Sequence, residues 1–337
     1  MKTSTKKLKM AWYLSLNPEM QGFVKKSFRE FSIAISSVPL DKNNFEKDAE
    51  ILCLFVDSKV DAAMIKAMPQ LKLIVTMSMG FDHIDLLAAK KRKITVCNIP
   101  SYGETTVAEH ALALLLTMSR KIFDSVKRVK EGVYDYHGLR GFDLNGKIVG
   151  VLGTGKIGCH LIGMLRGFGV TTIAFDVYPK KELQETFGFK YVSVKELLAT
   201  SDVISLHLPL LPETQHFLNK RRIAQMKKGV VIINTARGGL IDSKALLGAL
   251  QSGQIGAAGL DVLEDEEYLQ HPEMIFGTCP AKDKKLCLMN NMIIDHPHTV
   301  VTPHNAFNSV EAVQRIFDST VETINNFLQE KELKNKI

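Results

Sequence analysis

At 337 residues the chain is too long for one ordinary hydrophobic core, and its length implies about two domains. Hydrophobic residues at 45% and charged residues at 23% exclude a disordered or collagen-like chain. The net charge of +7 is spread over scattered lysines whose clearest runs, Lys6, Lys7 and Lys9, then Lys90 to Lys93, are short; with no helix-turn-helix, zinc-finger or RNA-binding signature, this excludes a nucleic-acid partner in favour of a solvated basic face.

The chain opens on MKTSTKKLKMAWYLSL, basic but without the long apolar segment and small-residue cleavage site of a secretory leader. No stretch approaches the roughly 18 apolar residues of a membrane span. Four apolar runs follow, Met10–Leu16, Ile51–Val56, Leu73–Met77 and Ile94–Asn98, separated by polar helical stretches. Strands that read as continuous apolar runs are buried on both faces, which predicts a parallel α/β sheet. Pro100, Ser101 and Gly103 mark a break. Thr105 and Thr106 then stand where they can cap a long helix, apolar nearly all round from Val107 to Met118. Such a helix is expected between domains or between subunits.

From Lys147 the runs IVGVLG, TTIAFDVY, DVISLHLP, GVVIINTARG and AAGLDVL predict a second doubly wound unit. Val310, Val313, Phe317, Val321, Ile324 and Phe327 recur at helical spacing and predict a final amphipathic helix, without saying which domain it packs on. The five cysteines, Cys53, Cys97, Cys159, Cys279 and Cys287, are odd in number and form no C-x-x-C pair. Reduced thiols in a cytoplasmic protein are the expectation. A metal clip of Cys279 and Cys287 with a nearby histidine is the weaker reading, so no metal is expected.

Gly153, Gly155 and Gly158 form G-x-G-x-x-G between the apolar run Ile148–Leu152 and a helical stretch. The hexapeptide alone is weak evidence, but strand, glycine turn, helix and a second strand ending in an acid together predict a dinucleotide site. The first glycine permits the turn, the second lets a pyrophosphate approach the backbone, and the third lets helix pack on strand. The helix N-terminus adds N–H donors and partial positive charge. Asp176 ends the next strand, where its carboxylate can accept hydrogen bonds from the ribose hydroxyls and would repel a 2′-phosphate. NAD is therefore expected rather than NADP.

Reduction of a 2-oxo acid needs a cation for the carboxylate, a proton donor at the carbonyl oxygen and a group that tunes the donor. Arg237, in NTARGG, follows an apolar run, and its planar fork suits a carboxylate. His304, in TPHNAF, follows Thr299–Val301. Glu266, after GLDVLED, can stabilise a protonated imidazole. Glu264 and Glu267 are alternatives within the same acidic run. Among the other histidines, His296 and His298 read as a surface turn, His110, inside the buried helix, as a satisfied structural hydrogen bond and His83 as structural. His207 divides evenly between a structural role and cofactor contact.

At this point the sequence resembles the D-2-hydroxyacid dehydrogenase family over nearly its whole length. The resemblance is carried by SMGFDHIDL, NIPSYGETTVAEHALALLL, GTGKIG, SLHLPLLPET, INTARGGLID, GAAGLDVLEDE and VTPHNAF. It implies that Arg237, Glu266 and His304 are the catalytic set, and that a Rossmann NAD domain is inserted into a flavodoxin-like substrate domain. Residues 1–100 and 300–337 would form the substrate domain and 101–299 the NAD domain. It further implies substrate-carboxylate binding at Met79 and Gly80 and cofactor contacts from Lys156, Ile157, His207, Leu208, Pro209, Thr214, Thr235, Ala236 and Asp261. A homodimer using the helix after Thr105 is also implied. Glu266 and His304 stand 38 residues apart, and this long connection with AFNS after the histidine is closest to the D-lactate dehydrogenase branch. Pyruvate and D-lactate are the expected pair. The alternatives are an NAD-sensing scaffold of corepressor type and a dehydrogenase for another 2-hydroxy acid, such as a glyoxylate or hydroxypyruvate reductase.

Overall fold

The computed structural model describes residues 8–266, 269 and 281–337. The chain divides into two units, one running to Tyr102 and resuming over Ser309–Ile337, the other Gly103–Asn308. Both are parallel-sheet α/β folds.

In the first unit the strands β1 (Lys9–Tyr13), β2 (Ser32–Ser36), β3 (Ile51–Leu54), β4 (Leu73–Thr76) and β5 (Thr95–Cys97) lie in the order β2-β1-β3-β4-β5. All are parallel, which is the flavodoxin-like order. Every residue of β3 and β4 is buried, because helices cover both faces of such a sheet. Its helices start at side-chain caps: Asn17, Asp61 and Asp85 each accept from the amide three residues on. The final helix, Val310–Leu328, is capped by Ser309 and belongs to this unit. Its Phe317 lies on the fully buried Trp12 with ring centroids 6.3 Å apart, and burial of such a side chain is worth about 1.5–3 kcal/mol.

The second unit holds β6 (Ile148–Leu152), β7 (Thr171–Phe175), β8 (Lys190–Tyr191), β9 (Val203–Leu206), β10 (Val230–Asn234), β11 (Ile255–Leu260) and β12 (Thr299–Val301). Their order is β12-β11-β10-β9-β6-β7-β8, again all parallel. From β6 the chain builds outward through β7 and β8, then returns to place β9 on the other side of β6. This switch point opens a crevice at the carboxyl ends of the strands, where doubly wound sheets bind ligands.

Two sequence expectations need correction. The return to the first unit was placed at residue 300 but falls at Ser309. Thr299–Val301 pairs in register with Ala258–Leu260 as the last strand of the larger sheet and keeps His304 with it. The helix after the break spans Glu104–Ser119 and is capped by Gly103, whose carbonyl accepts the Val107 amide at 2.8 Å. Thr105 and Thr106 therefore sit in its first turn and do not cap it. That helix buries Ala108, Ala111, Leu114, Leu115 and Met118 in the core of its own unit. The next helix, Ile122–Lys130, has no buried residue and leaves Ile122, Phe123, Val126 and Val129 about half exposed. Among the described residues no helix is long and apolar enough to cross a membrane. Cys53, Cys97, Cys159 and Cys287 are buried free thiols, and Cys279 lies outside the described residues.

Candidate active site

The glycine loop after β6 is closed by backbone on two sides. Gly153 adopts φ +98°, and a Cβ there would stand 2.6 Å from the His207 carbonyl. A Cβ on Gly158 would stand 2.1 Å from the Gly153 carbonyl. Gly155 differs, since a Cβ there meets nothing within 4 Å. It caps the helix Lys156–Leu165 without any side-chain bond to the first amides. At the end of β7, Asp176 Oδ2 accepts from the Thr154 amide at 2.7 Å and hydroxyl at 2.9 Å, and Oδ1 accepts from the Tyr178 amide at 2.9 Å. Lys156 pairs with Glu104 at 3.0 Å, and Ile157 packs on the core.

Beyond β9, Leu208 is buried in the core. Thr214 staples the Pro209 loop, donating to the Pro209 carbonyl at 2.6 Å and accepting from the Leu211 amide at 2.7 Å. His207 shares a 2.8 Å bond with Ser205 Oγ, and burial pushes its imidazole down from 6.5 to about 4. Beyond β10, Asn234 holds the next turn, accepting from the Ala236 amide at 3.0 Å and donating to the Arg237 carbonyl at 2.9 Å. Arg237 Nη1 donates to the Ala236 carbonyl at 2.8 Å. The Thr235 hydroxyl is buried with no partner among the described residues.

The ends of β11 and β12 carry the acid and the imidazole. His304 Nδ1 is hydrogen-bonded to Glu266 Oε1. The other carboxylate oxygen of Glu266 accepts from the Leu263 amide at 3.0 Å. The pair lines a cavity of about 270 Å³ together with Leu263, Leu269, Ile294, Val301, Pro303, Asp261 and Thr302, and its largely apolar walls strengthen the hydrogen bond. With Nδ1 committed to Glu266, Nε2 is the ring atom that can exchange a proton with a ligand. Glu264, the described alternative, turns elsewhere: His216 Nε2 lies 2.6 Å from its Oε1, and Ser243 Oγ donates to its Oε2 at 3.1 Å. Glu267 lies outside the described residues.

Asp261 organises the loop of His304. Its carboxylate is 0% exposed. Oδ1 accepts from Thr302 Oγ1 at 2.5 Å and the Asn305 amide at 3.0 Å, and Oδ2 from the Ala306 amide at 2.8 Å. His110 Nε2 stands 3.4 Å from Oδ1 and 3.0 Å from Thr302 Oγ1. Burial works to raise the Asp261 pKa, but the bonds from His110, Thr302 and Ala306 together hold it below the usual carboxylate value. The His304 amide donates to the Asp261 carbonyl at 2.8 Å and fixes its own backbone at φ +49°, a conformation a non-glycine residue adopts only under external restraint. Expected as a lining residue of the cofactor pocket, Asp261 thus has its side chain committed to protein donors. Sequence reading missed Asn234, Thr302 and Asn305 as supports; only their places next to Arg237 and His304 could have pointed to them.

In the first unit the loop after β4 carries Met79 and Gly80. Ser78 Oγ donates to the Gly80 carbonyl at 2.7 Å and Asn98 Nδ2 to the Met79 carbonyl at 2.8 Å.

Residues 112–306 match the model of the D-isomer specific 2-hydroxyacid dehydrogenase NAD binding domain. The chain belongs to this family. It is 41% identical to 2-hydroxyacid dehydrogenase homolog 1 of Schizosaccharomyces pombe over 83% of both chains. Among solved structures, the pyruvate reductase of Chlamydomonas reinhardtii superposes with a TM-score of 0.85 at 37% identity, covering 98% of this chain and 99% of that one. D-Lactate dehydrogenase from Aquifex aeolicus, complexed with NAD and lactic acid, gives 0.85 at 35% identity over 95% and 96%.

This D-2-hydroxyacid dehydrogenase uses NAD, and three features of its second unit fit the cofactor. The open side of Gly155 suits a pyrophosphate at a helix N-terminus. Asp176 is an acceptor at the end of β7. The unpartnered Thr235 hydroxyl is a buried polar atom that calls for a ligand.

The depressed His207 has a measurable consequence. Its native value near 4 against an ordinary 6.5 means that the folded state binds fewer protons than the unfolded state between those limits. The stability it contributes is complete above about pH 6.5 and lost as pH falls towards 4. Denaturant unfolding at pH 7 and pH 5 should show a smaller acid-side loss in His207→Asn than in the unmodified enzyme. An equal loss in both would remove His207 from this role.

Proposed function

We propose that this dehydrogenase interconverts pyruvate and D-lactate, and that the Glu266–His304 hydrogen bond is the observation carrying the reading. Bound NADH would supply the hydride for the carbonyl carbon. His304 donates a proton from Nε2 to the carbonyl oxygen, and Glu266 holds Nδ1 and stabilises the imidazolium left by the reverse transfer. Arg237, on the loop after β10, grips the substrate carboxylate with its fork and polarises the neighbouring carbonyl. In the first unit, the amides of Met79 and Gly80 on the loop after β4 are assigned to the substrate carboxylate. Gly153, Gly155 and Gly158, with Lys156 and Ile157 at the helix start, hold the pyrophosphate, and Asp176 the ribose. His207, Leu208, Pro209, Thr214, Thr235, Ala236 and Asp261 form or brace the nicotinamide side.

The choice of pyruvate is supported by the similarity to a pyruvate reductase and to a D-lactate dehydrogenase. We further propose a homodimer joined through the apolar face of Ile122–Lys130, since an exposed apolar stripe marks an association surface.

The reading is tested by following NADH absorbance with a panel of 2-oxo acids. Pyruvate should give the highest kcat/KM, above glyoxylate, hydroxypyruvate and branched 2-oxo acids, and D-lactate but not L-lactate should reduce NAD. A bulkier acid preferred by tenfold or more would overturn the substrate, and NADH binding without turnover on any acid would overturn the reaction.

A further inference from the structure

Asp176 sits at the end of a chain of hydroxyl groups whose direction can be deduced. A carboxylate only accepts, so the single hydrogen of Thr154 Oγ1 must point to Asp176 Oδ2, 2.9 Å away. Tyr191 Oη lies 2.8 Å from Thr154 Oγ1, and since the threonine has no hydrogen left, the tyrosine must be the donor. The Tyr191 oxygen in turn accepts from the Lys180 amide at 3.3 Å. Every hydrogen therefore points the same way, from Lys180 N–H through Tyr191 and Thr154 to Asp176, and bonds aligned in series polarise one another. The Tyr191 ring is steadied edge-on against Phe189, with centroids 4.9 Å apart, and its amide donates to Gln184 Oε1 at 3.0 Å.

We infer that Tyr191 and Thr154 act as positioning residues for Asp176 and so set the preference for NAD over NADP. The inference rests on Asp176 being the ribose ligand. Oδ2 is filled by the Thr154 amide and hydroxyl, and Oδ1, which takes one amide from Tyr178, keeps capacity for a ribose hydroxyl. The clamp on Oδ2 keeps the carboxylate from swinging aside. A 2′-phosphate must then meet a fixed negative charge, whereas a 2′-hydroxyl meets a fixed acceptor. Asp176 supplies the charge, and the two hydroxyl groups behind it supply the immobility that turns charge into discrimination.

The test compares kcat/KM for NADH and NADPH in the intact enzyme and in Thr154→Val, Thr154→Ser, Tyr191→Phe and Asp176→Ala. Loss of a hydrogen bond to a charged group predicts that Thr154→Val lowers the NADH:NADPH ratio by about tenfold, through KM and not through kcat at saturating NADH. Tyr191→Phe should lower it less, and Thr154→Ser should restore it. In an Asp176→Ala background Thr154→Val should change the ratio no further, because both act through one group. If Asp176→Ala itself leaves the ratio unchanged, the ribose assignment falls and the inference with it. If Asp176→Ala collapses the ratio while Thr154→Val and Tyr191→Phe leave it intact, or if Thr154→Val still acts without Asp176, the inference alone is overturned.

Discussion

His304→Ala and Arg237→Ala are each expected to lower kcat/KM for pyruvate by about 10²–10⁴ while NADH binding, followed by fluorescence titration, stays near normal. The two effects should separate in kinetic form. Removing the imidazole takes away a proton needed only as the alkoxide forms, so kcat falls. Removing the guanidinium weakens the hold on the carboxylate in both ground and transition states, so KM rises together with the loss of kcat. NADH binding is spared because the glycine loop and Asp176 follow β6 and β7, whereas Arg237 and His304 follow β10 and β12. Wild-type turnover in either variant would end the assignment of that residue.

Gly238→Ala is expected to damage the enzyme nearly as badly although Gly238 carries no side chain. A Cβ at this position would stand 2.0 Å from the Leu263 carbonyl carbon, 2.1 Å from its oxygen and 2.3 Å from the Glu264 amide nitrogen. All three are backbone atoms, so no side chain can rotate out of the way. The methyl group must push the turn of Arg237 away from the segment leading to Glu266. A misplacement of about 1 Å in such a constellation costs on the order of 10²-fold in rate, and overpacking costs about 1–3 kcal/mol of stability. Gly248→Ala is the control: it lies inside the helix Ser243–Gln251 with nothing within 4 Å of its Cβ, and should leave turnover intact with an unchanged or slightly raised melting temperature. Activity assays and thermal unfolding of the two variants check this, and a fully active Gly238→Ala would refute the close approach.

The sequence-level reading succeeded where local chemistry is dense. The strand, glycine turn and helix around Gly153, Gly155 and Gly158 and the strand ending before Asp176 were legible because their signals agreed over a short span, and β9 to β11 because their runs are almost wholly apolar. It missed β2 and β8, whose residues are partly exposed sheet-edge positions without the unbroken apolar signal of a central strand. Spacing alone left Glu264 and Glu267 as alternatives to Glu266, which the family resemblance favoured, since spacing cannot say which carboxylate turns towards His304 and which towards His216. The bond between His110 and Thr302, 192 residues apart in sequence, was legible only as a histidine needing some partner. Asn234 carries no motif of its own, and its role emerges only once its amide is seen bracing both sides of the Arg237 turn.

The link from His110 through Thr302 to Asp261 bears on how the enzyme would respond to mechanical load. The polypeptide leaves the first unit at Tyr102 and enters the helix Glu104–Ser119, whose imidazole touches the hub gripping the amides of Asn305 and Ala306. A displacement of that helix would be passed through three successive hydrogen bonds, His110 to Thr302, Thr302 to Asp261 and Asp261 to the amides beside the proposed proton donor, so engineering in the helix that follows the crossover should be expected to retune chemistry.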